Sequence, residues 1–196
     1  MDALTRTLMQ TLSGGGLAQL GQILGADEQK TSSALSSAVP LLVSALATEA
    51  AEPRGAKSLY HALEKDHDGS VLADLSSYLT TNPDEVEGAG ILKHALGGAR
   101  PAVETGLAAK TGLDAKQIAT MLEIAAPLVM GLVGQKRQSE GLDVSGLAAL
   151  LGSQVQTTAK EDPDILGILN SALDADKDGS AIDEVMGFVG KLFDKK

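Results

Sequence analysis

The chain has 196 residues, with 16 basic and 26 acidic side chains and a formal net charge of −10. Hydrophobic residues make up 43% but aromatics only 2%, so its core has to be built from Leu, Ile, Val, Ala and Met, the vocabulary of packed helices rather than of strands. The acidic balance opposes phosphate backbones and anionic lipid surfaces, and the absence of cysteine excludes disulfides, thiolate catalysis and cysteine-based metal centres.

The amino terminus, Met1 to Met9, lacks the basic start and apolar run of a secretory signal. No other segment approaches the length of a bilayer span on this reading, so a cytoplasmic protein without a membrane span is expected. Leu4, Leu8 and Leu12 lie four apart and predict a first helix over residues 2–12 that stops at Ser13-Gly14-Gly15-Gly16. The triple glycine follows a helix and lacks a Gly-Lys-Ser/Thr ending, so it reads as a turn and not as a phosphate loop. A second helix carries Leu17, Leu20 and Leu24, Gly25-Ala26-Asp27 breaks it, and helix resumes from Thr31 to Leu46.

Part of this pattern returns 87 positions later. Gly25-Ala26-Asp27 meets Gly112-Leu113-Asp114, Leu35 meets Leu122, and Ala38-Val39-Pro40-Leu41-Leu42 meets Ala125-Ala126-Pro127-Leu128-Val129. The spacing predicts an internal duplication, with a shared kink or division of the helix at Pro40 and Pro127, because proline removes an N–H and its ring crowds the preceding turn. A short helix follows over Val71 to Leu79, with Leu72, Leu75 and Leu79 facing inward. The boundary between copies falls near Pro83, giving a first half over 1–86 and an enlarged second half over 87–196. A helix lies between the glycines of 88–98, with His94 beside its apolar stripe, where bonding to a neighbouring carbonyl is the expectation. Pro101 opens the next helix, 135–141 reads as a polar exposed link, and helical spacing resumes over Val144 to Leu151, after Pro163, and over Ala181 to Phe193.

Each half carries an acidic loop, over 64–75 and 174–185. Leu63-Glu64-Lys65-Asp66-His67-Asp68-Gly69-Ser70 matches Leu173-Asp174-Ala175-Asp176-Lys177-Asp178-Gly179-Ser180. Alternate carboxylates before a glycine can converge on a hard cation, so calcium is the candidate ion. The candidate ligands are Asp174, Asp176, Asp178, Ser180 and Glu184 in the second loop, and Glu64, Asp66, Asp68, Ser70 and Asp74 in the first. In both loops the closing acid sits one residue before its usual place, which Val185 and Leu75 occupy, and this predicts weak binding. The alternative is plain helix capping, with Ser180 as N-cap and Asp183 near a capping box.

Two other function classes follow from the pattern. The helix, Gly-x-Asp turn and helix over Leu17 to Leu35 and Glu104 to Leu122 has the spacing of a helix-turn-helix. Its would-be reading helices carry no arginine in their first turns, and phosphate neutralisation needs several basic groups on one face. For an enzyme there is no Gly-x-Ser-x-Gly, no His-Glu-x-x-His and no phosphate loop, and His61, His67 and His94 have no nucleophile beside them in sequence.

Gly90-Ile91-Leu92-Lys93-His94-Ala95-Leu96-Gly97, Ala126-Pro127-Leu128-Val129-Met130-Gly131 and the twin Asp-Gly-Ser loops resemble the bacterial domain-of-unknown-function 937 (YidB-like) family. The resemblance implies a mostly helical bacterial protein with a homeodomain-like helix arrangement, and it supplies no catalytic residues. The sequence as a whole predicts an all-α protein of two related halves. Its expected role is an acidic scaffold or interaction module that engages a protein partner or itself, with a helix-turn-helix regulator as the alternative and an enzyme third.

Overall fold

The computed structural model describes residues 2–80 and 85–173, and every regular element among them is helical. α1 (Ala3–Leu12) buries Leu4, Leu8 and Leu12, as their four-residue spacing predicts. Its first turn is closed by the Asp2 carboxylate, which accepts the Thr5 N–H. The triple glycine is a turn, and α2 (Gly16–Leu24) starts at its last residue.

Two long helices form the centre: α3 (Glu28–Ala51) and α9 (Ala115–Glu140). They bury Leu35, Leu41, Leu42, Ile118, Met121 and Leu122 almost completely. Each is entered in the same way. Gly25 (φ 65°) ends α2 and Gly112 (φ 73°) ends α8 (Arg100–Thr111) in the left-handed region that glycine tolerates. Asp27 and Asp114 then cap the long helices by accepting the N–H groups of Lys30 and Gln117. Pro40 and Pro127 both lie twelve residues past the first helical residue (28 to 40, 115 to 127).

Of the two outcomes expected at these prolines, a kink or a division, the division does not occur: each helix runs on through its proline. Both sit where the surrounding side chains are buried, and packing there outweighs the lost hydrogen bond. Pro127 leaves the Glu123 carbonyl, four residues back, without its intrahelical donor. Gly88 of α7 (Glu85–Leu96) packs its bare α-carbon against that carbonyl, so closely that an added Cβ would overlap the oxygen. The next carbonyl, Ile124, accepts the Tyr78 hydroxyl at 3.2 Å.

α4 (Pro53–Lys65) and α11 (Pro163–Leu173) each open on a proline, 110 residues apart (53 to 163). α10 (Val144–Glu161) packs Leu147, Leu151 and Val155 inward and lies along α3 and α4. Buried residues of both halves form one contiguous core.

Three further details differ from the sequence reading. Residues 135–140 are helical, because α9 runs on until Gly141 (φ 61°). The helix over 71–79 is two pieces, α5 (Ser70–Ala73) and α6 (Leu75–Thr80), since Asp74 leaves the helical region and its carboxylate accepts the Ser77 N–H. Helices α3 and α9 do reach spanning length, with a mean hydropathy of 1.5, and 78% of that apolar stretch is buried inside the protein. The final expected helix, 181–193, lies outside the described residues.

Two neighbouring glycines of α7 should respond oppositely to the same change. Gly88→Ala should lower stability by about 1–3 kcal/mol through overpacking against α9. Gly90→Ala, with nothing within 4 Å of the new methyl, should raise it by about 0.5–1 kcal/mol by removing a mid-helix glycine. Urea unfolding of both variants measures the contrast.

Candidate functional site

Helices α4 and α7 both pack on α3 and α9 but make little contact with one another. The space between them is a cleft of about 720 Å³. Leu46 of α3, Leu59 of α4, Ile91 of α7 and Met130 of α9 give it an apolar floor, while Glu49, Asp66, His67, Glu87 and His94 give it a polar rim. Among the described residues no lysine or arginine lines it.

The imidazoles and carboxylates of the rim come from different parts of the chain. His67 Nδ1 lies 3.4 Å from Glu87 Oε1, with the His67 side chain only 10% exposed. This contact joins the first acidic loop to α7 and stands between the cleft and a smaller cavity of about 320 Å³ lined by Gly69, Tyr78 and Pro127. His67 is held in place by its own backbone, because its carbonyl oxygen rests on Gly134 of α9 where a Cβ would overlap it. His94 has Glu49 as an electrostatic partner, not the neighbouring carbonyl expected from sequence.

Glu49 is the least satisfied acid of the cleft. It is half-buried in the last turn of α3, and burial pushes its carboxyl above the ordinary glutamate range, an effect that His94 offsets only in part. Among the described residues its carboxylate takes no hydrogen bond or ion pair. Other acids that bridge helices are well matched. Glu104 and Glu123 each accept from Arg100 at 2.6 Å, and although burial opposes the arginine's charge, these two bonds raise its pKa. Lys110 donates to Asp162 at 3.0 Å and lies 3.5 Å from Asp164, tying α8 to the start of α11.

In the first acidic loop each candidate ligand has a local role. Glu64 lies 3.7 Å from the exposed His61. Asp66 ends α4 and faces the cleft. Asp68 accepts the Ser70 N–H at 2.9 Å beside Gly69 (φ 99°), and this bond, with one to the Ser70 hydroxyl, lowers the Asp68 pKa. Asp74 caps α6. Gly69 is thus the N-cap of α5 and Ser70 its first helical residue, whose N–H the preceding aspartate satisfies. Among the described residues no three His, Asp or Glu side chains gather as a metal ligand set. Asp174, Asp176, Asp178, Ser180 and Glu184 lie outside the described residues.

Sequence reading did not single out Glu49 or Glu87 as site residues. The local signal for Glu49 is a charged residue three positions after Leu46 in an otherwise apolar stretch, which places the two on one helix face. The cleft itself joins residues from 46 to 130, a convergence that no local pattern carries.

A family model described as a bacterial protein of unknown function (DUF937) matches residues 6–136, from α1 nearly to the end of α9. No curated protein and no solved structure matches the chain.

Glu49 gives the site a measurable pH signature. Its folded-state pKa lies above the ordinary glutamate value of 4.5, so the native state holds more protons than the unfolded state, and stability falls as pH rises through the raised value. Glu49→Gln removes that loss. Its melting temperature relative to the wild type should be lowest below pH 4.5 and rise between there and neutrality, as followed by thermal denaturation across pH.

Proposed function

Because the chain belongs to the DUF937 family of bacterial proteins of unknown function, whose description names no activity, we propose from the geometry that it is a non-catalytic binding module working through the cleft between α4 and α7. The observation that carries this reading is the combination of an apolar floor with a rim of convergent polar groups. Its volume of about 720 Å³ falls in the range of roughly 300–1,000 Å³ typical of ligand sites. Catalysis is less well supported. Ser58 is the hydroxyl residue lining the cleft, and among the described residues neither histidine is hydrogen-bonded to it, whereas an activated nucleophile needs such a base.

The helix-turn-helix alternative has less surface to work with. Its reading helices would be α3 and α9, which are buried along most of their length after the first turns, and the charge of −10 works against a phosphate backbone. Self-association or a protein partner remains within the proposal, since the rim and floor suit a partner's side chain as well as a free ligand. Calcium belongs to it in reduced form. With Asp68 and Asp74 of the first loop engaged by backbone N–H groups, the calcium proposal rests mainly on 174–185. A rise in melting temperature at millimolar calcium should then disappear in a variant carrying Asp176→Ala and Asp178→Ala.

The cleft reading is tested by amide NMR with a mixture of small organic fragments. Shifts should concentrate at Leu46, Glu49, His67, Gly90 and His94, and Gly90→Leu, whose Cβ meets nothing within 4 Å and whose side chain would occupy the lip, should abolish them. Shifts spread over the surface, or unchanged by Gly90→Leu, would overturn the reading.

A further inference from the structure

We infer that the cleft selects an organic cation, a primary ammonium or guanidinium group on an aliphatic body, with the charge against the Glu49 carboxylate and the body on the apolar floor. This deepens the cleft reading and rests on it.

The fold gains nothing from an acid at position 49. The side chain is half-buried, it has no hydrogen-bond donor among the described residues, and it lies in the last turn of α3, where the helix dipole favours a cation instead. A partly desolvated carboxylate without a donor is destabilising. Every other part of that environment suits a visiting cation. Leu46 lies one turn before Glu49 on the same face, and Leu59, Ile91 and Met130 continue an aliphatic surface away from it. Asp66 and Glu87 add negative potential at the rim, and among the described residues no lysine or arginine joins the lining, so three carboxylates face the imidazoles of His67 and His94. A bare metal ion fits less well, because among the described residues no three ligating side chains converge, whereas one carboxylate beside an apolar floor matches a charged head on a greasy stem.

The test uses the full chain and three probes that share one six-carbon body: hexylammonium, hexanol and hexanoate. Amide NMR titration should give hexylammonium at least tenfold tighter binding at Glu49 and His94 than either of the others. Glu49→Gln should erase that preference while keeping the wild-type melting temperature or exceeding it at neutral pH. If hexanol binds the cleft as well as hexylammonium, or if Glu49→Gln retains the preference, the cation assignment is overturned while the cleft remains a binding site. If none of the three shifts a cleft residue, the binding reading falls with it. A helical peptide of leucine and lysine as a fourth probe separates two sources of the same chemistry. Tighter binding than hexylammonium assigns the cation to a partner protein's lysine, and weaker binding assigns it to a free amine.

Discussion

The architecture depends on what becomes of a carbonyl that a proline has left without a donor. Inside α9, Pro127 withholds the N–H that Glu123 would otherwise receive. The chain answers with a glycine and not a polar side chain: Gly88 lets α7 approach until its backbone covers the exposed oxygen. A Cα–H group is a weak donor, but packed this closely it leaves no room even for a methyl between the two helices. The Tyr78 hydroxyl on Ile124 secures the adjacent carbonyl from the other side. One wall of the cleft is therefore positioned by a defect in the helix that forms part of its floor.

The fold was legible in sequence wherever a local rule decides. Leu4, Leu8 and Leu12 announced α1, and the Gly-x-Asp steps at Gly25 and Gly112 announced the breaks, although the caps that Asp27 and Asp114 supply there were not read from the sequence. All of these involve groups a few residues apart. The rule overreached at Pro40 and Pro127 only in allowing a break, for burial on all sides keeps each helix continuous through its proline. It misled over 135–140, where polar composition suggested a link. There Arg137 lies over the Tyr60 ring at 5.0 Å and donates to its hydroxyl, a contact between residues 77 positions apart that supports the helix from outside its own segment.

The candidate site was less legible for the same reason. The twin acidic loops drew attention because carboxylates at alternate positions form a visible motif. In the first loop, however, Asp68 and Asp74 are each committed to backbone N–H groups within three residues. The loop's larger contribution is to the cleft, through Asp66 and His67, and what holds it there is Gly131 and Gly134 on a helix more than sixty residues away. Glu49, by contrast, belongs to no motif. Its oddity appears only once the surrounding helices show it half-buried, with no hydrogen-bond donor among the described residues and His94 offsetting its burial only in part.

Helix α10 has one further consequence. It belongs to the second half, yet it lies against α3 and α4 of the first. Whatever the origin of the internal likeness, the two portions are thereby interlocked: the later part supplies the outer cladding for the earlier one. The molecule is asymmetric in its dependence, because the leading portion relies on chain synthesised after it to shelter its central helix. Its final packing must therefore wait until translation has moved well past the midpoint.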